Sequence, residues 1–211
     1  MDDFMEKFNC MVLDWNEIVN TTKKTSAKIK QSNFHPDVII GISRGGLVPA
    51  RLFCDFLHVK SCFSLKVDHW GLTATKNGEA KLTQPLNMDL TGLNVLLVDD
   101  ITDTGQSLEL AKNHLQEKNP KSLKTATMYH LLTGSDYKPD FYGEERKWSW
   151  MVFPWNYMED LVNILKKITN NLGKTHDEIK EELKENFNII INKNKIKEVL
   201  YHIDYLDNLK K

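Results

Sequence analysis

The chain has 211 residues, of which 41% are hydrophobic and 27% are charged, and this length suits one substantial α/β domain with a small appendage. Its 28 Lys and Arg nearly cancel its 29 Asp and Glu, which excludes a global field that would attract nucleic acid or an anionic membrane. No apolar run approaches the roughly 18 residues of a membrane span, and the first residues lack a signal-peptide pattern, so we expect a cytoplasmic protein.

The cysteines are few and follow no metal-ligand spacing. There are three of them, Cys10, Cys54 and Cys62, and each lies in an apolar stretch. Reduced thiols in a protein core are therefore expected.

The first three quarters of the chain alternate between strand and helix patterns. Apolar periodicity predicts helices over residues 15–30, 47–57 and 105–118, and strands over 38–42, 62–67, 95–98, 123–132 and 148–153. Such alternation favours an open, mostly parallel sheet with helices on both faces. Residues 68–89 contain few large aliphatic side chains, which predicts a mobile loop with a short hairpin as an option.

The remainder of the chain has a different character. Helices are predicted over residues 156–169, 175–187 and 194–209, and Thr175 to Glu178 has the spacing of a capping box. We therefore expect an α/β domain over residues 1–160 and a small C-terminal helical appendage over residues 161–211. The pattern leaves open whether this appendage is a separate subdomain or a packed extension.

The most informative segment is Val95–Ser107. An apolar strand runs into three carboxylates, Asp99, Asp100 and Asp103, and a Thr-Gly-x-Ser sequence then opens a helix. A turn at the carboxyl end of a parallel strand faces the ligand crevice of an open α/β sheet. The helix N-terminus with its hydroxyls suits a phosphate, and the carboxylates suit vicinal hydroxyls and a divalent cation. A ribose 5-phosphate combines these features, whereas a P-loop nucleotide site is excluded because its motif is absent.

A second segment upstream has the character of an anion site. Residues 37–49 contain a buried strand followed by Ser43, Arg44, Gly45 and Gly46. The strand delivers one cation and exposed glycine amides to a bend, which is a suitable cradle for a pyrophosphate.

These motifs resemble those of a known family. The segment over 95–107 is similar to the phosphoribosyl pyrophosphate (PRPP) signature of type I phosphoribosyltransferases, and residues 37–49 resemble the family's pyrophosphate loop. In that loop the family often has a cis peptide before the basic residue, which is Ser43–Arg44 here. The sequence Trp-x-x-x-Pro-Trp over 150–155 resembles the base-binding hood of bacterial xanthine-guanine phosphoribosyltransferases and archaeal purine relatives.

The resemblance implies transfer of a phosphoribosyl group from PRPP to a purine, with pyrophosphate and a nucleoside monophosphate as products and Mg²⁺ as cofactor. It implies an α/β fold of the family's type, no nucleic-acid or membrane partner, and a homodimer or homotetramer. Asp103 is implied as the general acid/base at purine N7. The other implied contacts are Arg44, Gly45 and Gly46 to pyrophosphate; Asp99 and Asp100 to ribose; Thr102, Asp103, Thr104, Gly105, Gln106 and Ser107 to the 5-phosphate; and Trp150 and Met151 to the base.

Two further contacts are weaker expectations. Asp100 is also expected to touch the metal shell. Lys81 is a candidate for reaching the phosphates from the loop over 68–89, with a solvated surface lysine as the alternative.

The sequence departs from the family at one position. The lysine that donates to O6 of a 6-oxopurine aligns with Leu131, so His130, Lys138 or a backbone N–H must take its place, or the preferred base has changed. Hypoxanthine, guanine or xanthine remains the expected substrate. Two alternatives stay open, namely a PRPP- or nucleotide-sensing regulator on the same fold and a phosphoribosyltransferase for a pyrimidine base.

Overall fold

The computed structural model describes residues 7–69, 80–169 and 173–209. They form two compact units. One unit is Trp15–Trp148, and the other consists of the described residues of Met1–Asp14 and Ser149–Lys211. The domain boundary expected after Asp160 lies inside a helix of the second unit, because the chain changes unit at Ser149 instead.

The Trp15–Trp148 unit is a six-stranded sheet with helices. The strand β1 (Cys10–Val12) precedes this unit. The elements of the unit are α1 (Trp15–Gln31), β2 (Val38–Ser43), α2 (Leu47–Leu57), β3 (Ser61–His69), β4 (Ala80–Gln84), β5 (Asn94–Thr102), α3 (Gln106–Gln116), β6 (Ser122–Leu132) and β7 (Phe141–Lys147). The strand order is β4-β3-β2-β5-β6-β7, and every neighbouring pair is parallel except β3 with β4. The predicted α/β architecture is confirmed.

The apolar runs of the central strands explain why helices cover both faces. Alternate residues of β2 and β5 pack into two separate clusters. Ile40 and Leu97 lie with the apolar side chains of α3, whereas Ile39 and Leu96 lie with those of α1 and α2. A strand that is buried on both faces reads as a continuous hydrophobic run, and this is the pattern the sequence has at both places.

Several boundaries differ from the prediction. β5 continues through Asp99 and Asp100 to Thr102, so the expected acidic turn is the end of a strand and the chain turns only at Asp103. β3 extends to His69 and pairs with β4, which is the hairpin left as an option, while residues 70–79 of the expected loop lie outside the described residues. Of the three cysteines, Cys10 and Cys54 are buried as expected but Cys62 is exposed, because it lies near the start of β3.

The second unit combines a two-stranded sheet with three helices. β1 pairs in parallel with β8 (Trp150–Val152), and α4 (Tyr157–Thr169), α5 (His176–Phe187) and α6 (Lys193–Asn208) follow. Their apolar faces share one cluster with Cys10 and Val152. The capping box at Thr175 is confirmed, since its hydroxyl accepts from the Glu178 amide and the Glu178 carboxylate accepts from the Thr175 amide. Among the described residues, no helix is long and apolar enough to span a membrane.

Candidate functional site

The two predicted ligand motifs meet at the carboxyl ends of adjacent strands. β2 pairs with β5 up to Gly41 and Val98, so the loops that leave these strands start side by side. The Asp100 carboxylate packs directly against Gly45, and a Cβ atom on Gly45 would overlap it. A Cβ atom on Gly46 would lie 2.5 Å from the Val98 carbonyl oxygen. Glycine is therefore required at both positions, and the glycines expected at pyrophosphate lie against a carboxylate expected at ribose.

The phosphate end of the site is a helix N-terminus without a side-chain cap. Gly105 is the N-cap of α3 and has φ 84°, a left-handed conformation that glycine adopts without strain. The N-cap makes no side-chain hydrogen bond to the first turn of α3, and backbone amides at a helix N-terminus attract an anion. Thr104 and Gln106 are exposed and Ser107 is partly exposed, so these side chains flank the same helix end.

Three residues that the sequence did not predict support the loop between β5 and α3. The Thr133 hydroxyl donates to the Asp103 carbonyl oxygen at 3.2 Å, and the Ser135 hydroxyl donates to the Thr104 carbonyl oxygen at 2.8 Å. The Tyr137 ring covers Gly105 so closely that a Cβ atom there would overlap it. All three follow β6, the neighbour of β5, so polar residues beyond the adjacent strand were the available signal.

Asp99, the first of the two adjacent carboxylates, has a perturbed pKa. Burial raises the pKa of Asp99 well above its usual range, and the neighbouring Asp100 carboxylate raises it further. The Asp100 amide donates to Asp99 Oδ1 at 2.9 Å, which opposes that shift only in part. Asp100 itself is 7% exposed. Donors from a ligand or a cation beside this pair favour the ionised form, because they supply the charge compensation that water no longer provides.

The donor set fits a cation that arrives with a phosphate ligand. Among the residues that the structure describes, no three His, Cys, Asp or Glu side chains group to hold a metal ion. Mg²⁺ commonly binds through one or two carboxylates together with substrate phosphates. Asp99 and Asp100 next to the glycine cradle satisfy that requirement, with Asp100 against Gly45.

The loop after β2 contains the expected cis peptide bond and the expected cation, Arg44. The peptide between Ser43 and Arg44 is cis, as the family resemblance implied. Arg44 is exposed, and the Gly46 amide donates to the Ile42 carbonyl oxygen at 2.8 Å. The Gly46 amide is therefore used within the loop, so it is not one of the exposed glycine amides that the sequence predicted at this bend.

Lys81 lies on the hairpin beside this loop. It is exposed on β4, opposite Asp68 of β3. The pKa of Asp68 is lowered by hydrogen bonds from Thr83 and Lys66, and the charge of Arg44 lowers it further. Lys81 is thus the register partner of a carboxylate whose pKa the charge of Arg44 lowers.

The strand position of the missing lysine is buried. Leu131 is 3% exposed and His130 is 6% exposed. His130 stands opposite Thr102 of β5 in the sheet register, its Nδ1 has no hydrogen-bond partner within the described chain, and burial lowers its pKa. The rings of His130 and Tyr142 lie 5.4 Å apart, and Lys138 Nζ lies 5.0 Å from the Tyr142 ring centroid. Both residues named as substitutes for the lysine thus border Tyr142.

The expected base-binding residues lie in the second unit. The Trp150 indole N–H donates to Asp160 Oδ1 at 3.1 Å, which fixes the ring plane. Met151 is 6% exposed, and the Ser149 hydroxyl lies 3.6 Å from its sulfur. The Trp155 ring stacks on Phe153 with centroids 4.8 Å apart. Trp155 therefore packs on Phe153, and Trp150 is held by a buried carboxylate.

Neighbouring strands of the parallel sheet thus end in a glycine pair, two adjacent carboxylates and a helix N-terminus. Open α/β sheets bind their ligands at this edge, and helix N-termini favour phosphates. Residues 10–167 match the family model described as phosphoribosyl transferase domain. The chain therefore belongs to the phosphoribosyltransferase family, and the resemblance is confirmed.

Several known proteins are similar to this chain. A xanthine-guanine phosphoribosyltransferase of Desulfotalea psychrophila is 28% identical over 144 residues, covering 68% of this chain and 84% of its own. A hypoxanthine-guanine phosphoribosyltransferase of Aquifex aeolicus is 30% identical over 143 residues, covering 64% and 79%. The crystal structure of a purine phosphoribosyltransferase from Pyrococcus horikoshii superposes with a TM-score of 0.60 at 28% identity, covering 70% of this chain and 93% of its own.

Proposed function

We propose that this protein transfers the 5-phosphoribosyl group of PRPP to a purine base, releasing pyrophosphate and forming a nucleoside monophosphate in purine salvage. The family membership and the names of its relatives support this reaction. The observation that carries it is the packing of the Asp100 carboxylate against Gly45. That contact joins a pyrophosphate cradle to a ribose phosphate site, and PRPP is the ligand that has both groups.

The chain holds PRPP at three places. Arg44 and the Gly45 amide bind the leaving pyrophosphate, because the Gly46 amide already donates to the Ile42 carbonyl oxygen. Asp99 and Asp100 accept hydrogen bonds from the ribose hydroxyls, and the first turn of α3 binds the 5-phosphate. Fixing both ends of the sugar holds C1′ in line between the pyrophosphate and the incoming base nitrogen. The entropy lost in aligning the reacting groups is therefore largely lost on binding and not in the chemical step.

Asp103 provides the proton transfer. Positive charge grows on the purine as N9 attacks C1′, and a carboxylate that accepts the N7 proton stabilises that charge. Asp103 is partly exposed and follows β5 directly, and Thr133 holds its carbonyl group. General acid/base groups of this kind typically contribute about 10²–10⁴-fold to the rate.

Mg²⁺, when bound, neutralises charge on the pyrophosphate and assists its departure. Asp99 and Asp100 are the residues that would hold its shell. We also propose that the enzyme is a homodimer or homotetramer.

The proposed bases are hypoxanthine, guanine and xanthine, with Trp150 and Met151 as the base-binding residues. The relatives' names and the Trp-x-x-x-Pro-Trp segment support this choice. Leu131 offers no donor to O6, so a neighbouring group must replace the lysine.

A steady-state screen tests the proposal. Hypoxanthine, guanine, xanthine, adenine and orotate are each assayed with PRPP and Mg²⁺, and kcat/KM is expected to be highest for a 6-oxopurine. A higher value for adenine or orotate would contradict the choice of base but not the phosphoribosyl transfer. Tight PRPP binding without turnover of any base would favour the sensing regulator instead.

A further inference from the structure

A cavity of about 400 Å³ lies at the end of α2 and the start of β3, and none of the residues proposed above lines it. Two thiols, Cys54 and Cys62, share this cavity with the basic side chains of Arg51, His58 and Lys60. The interaction with Cys62 contributes to the raised pKa of the Cys54 thiol, so the two side chains that line this cavity lie close to each other.

Local structure explains why these thiols meet. His58 has φ 63° and ends α2, and the Val59 amide then donates to the Cys54 carbonyl oxygen at 2.9 Å. The chain reverses within this short turn and enters β3 at Ser61, which returns Cys62 to the last turn of α2. The backbone turn at the C-cap of α2 therefore brings Cys54 and Cys62 together.

We propose that Cys54 and Cys62 form a reversible oxidation site, in which a peroxide converts the two thiols into an intramolecular disulfide.

The two sulfur atoms take part in different steps of this oxidation, because one is exposed and the other is buried. Cys62 is exposed and meets the peroxide first. Its sulfur gives two electrons to one peroxide oxygen, an S–O bond forms as the O–O bond breaks, and the products are a sulfenic acid and one water. The Cys54 sulfur then attacks the Cys62 sulfur, the S–O bond breaks, and the hydroxyl leaves as a second water with the Cys54 proton. Two thiols are oxidised and one peroxide is reduced to two waters.

Cys54 suits the second step because it is only 6% exposed. Burial, together with the interaction with Cys62, raises the pKa of its thiol to about 12, so at neutral pH it stays a thiol that bulk oxidant does not attack. The third cysteine, Cys10, lies in the other compact unit and is buried, so it serves as an internal reference.

Mass spectrometry of the whole protein after hydrogen peroxide treatment tests the proposal. The protein is denatured in an alkylating agent, and the loss of two hydrogens, one remaining alkylatable thiol and a cross-linked peptide pair containing Cys54 and Cys62 are expected. Dithiothreitol restores all three thiols. Cys62→Ser and Cys54→Ala each abolish the cross-link, whereas the matched variant Cys10→Ser retains it.

Two results would overturn the proposal. One is oxidation of Cys62 to a sulfinic acid while Cys54 remains alkylatable. The other is a disulfide only between two protein molecules, seen as a dimer on non-reducing gels. Because Cys62 is exposed, its serine variant is expected to fold, and the comparison does not depend on the more disruptive change at Cys54.

Discussion

Asp103 is the single side chain to which the proposed chemistry assigns proton transfer. Asp103→Asn keeps the shape and the backbone contact with Thr133 but cannot accept the N7 proton. We expect kcat to fall about 10²–10⁴-fold while the Kd for PRPP changes little. Single-turnover rates and PRPP titrations measure the two effects separately, and wild-type turnover in this variant would refute the assignment.

Asp99 predicts a pH dependence of stability with a defined sign. Its pKa in the folded protein is raised by burial and by Asp100, so the folded state keeps a proton that the unfolded state loses above about pH 4. The unfolded state then binds fewer protons, and stability falls as pH rises from the unfolded pKa toward the folded one.

The variant Asp99→Asn removes this proton linkage. As pH rises, we expect the urea midpoint of this variant to increase relative to that of the wild type. We also expect its affinity for PRPP to decrease, because an ionisable acceptor is lost. Urea midpoints of both proteins measured over a pH series check the effect. Parallel curves for the two proteins would contradict the prediction.

At the scale of elements, the loop that follows β6 supports the loop that follows β5. Ser135→Ala removes one exposed hydrogen bond to the Thr104 carbonyl oxygen. Such a bond is worth about 0.5–1.5 kcal/mol, so we expect the KM for PRPP to rise by roughly 2- to 10-fold with the KM for the base unchanged.

Ser32→Ala is the matched control for this prediction. The Ser32 hydroxyl also donates to a backbone carbonyl, that of Ile29 at 2.7 Å, but at the end of α1. An equal rise in the KM for PRPP in both variants would show a general loss of stability and not a positioning role for Ser135.

The elements with strong apolar runs were predictable, and those without them were not. The predicted bounds of α2 agree with the structure, and those of β2 differ by one residue, because α2 has a buried apolar face and β2 is a buried apolar run. Phe141–Lys147 was missed because this edge strand carries charged side chains in place of an apolar pattern, which is how edge strands avoid pairing with other chains. β4 was not placed for the same reason, since its side chains are largely exposed.

The site shows the same division. Gly45, Asp100 and Gly105 were predictable because each forms part of a local motif with its own physical logic. Thr133, Ser135 and Tyr137 were not, because their role arises from a contact between loops of neighbouring strands. The extension of β5 to Thr102 escaped prediction since polar residues such as Asp99 do not continue an apolar run.

At the scale of the whole molecule, the C-terminal helices have a core of their own. Phe187 is fully buried among side chains of α4, α5 and α6. Phe187→Ala is expected to destabilise the protein by about 3–5 kcal/mol, while the KM for PRPP stays unchanged at temperatures where the variant is folded. Thermal unfolding measures the loss, and Lys184→Ala, an exposed change on the same helix, is the control.

An unchanged melting temperature for Phe187→Ala would mean that these helices add little to the stability of the chain. A large change in the KM for PRPP at low temperature would instead connect the C-terminal unit to substrate binding. Residues beyond 167 lie outside the family match, so this variant also probes the part of the chain that the family does not explain.

The central claim is phosphoribosyl transfer, and the most direct measurement is the stoichiometry of its products. Purified protein is incubated with PRPP, Mg²⁺ and guanine or hypoxanthine, and nucleoside monophosphate and pyrophosphate are quantified together. We expect that the two products form in equal amounts, that neither forms without a base, and that Arg44→Ala slows their release at limiting PRPP. Pyrophosphate without nucleotide, or no product with any purine, would contradict it.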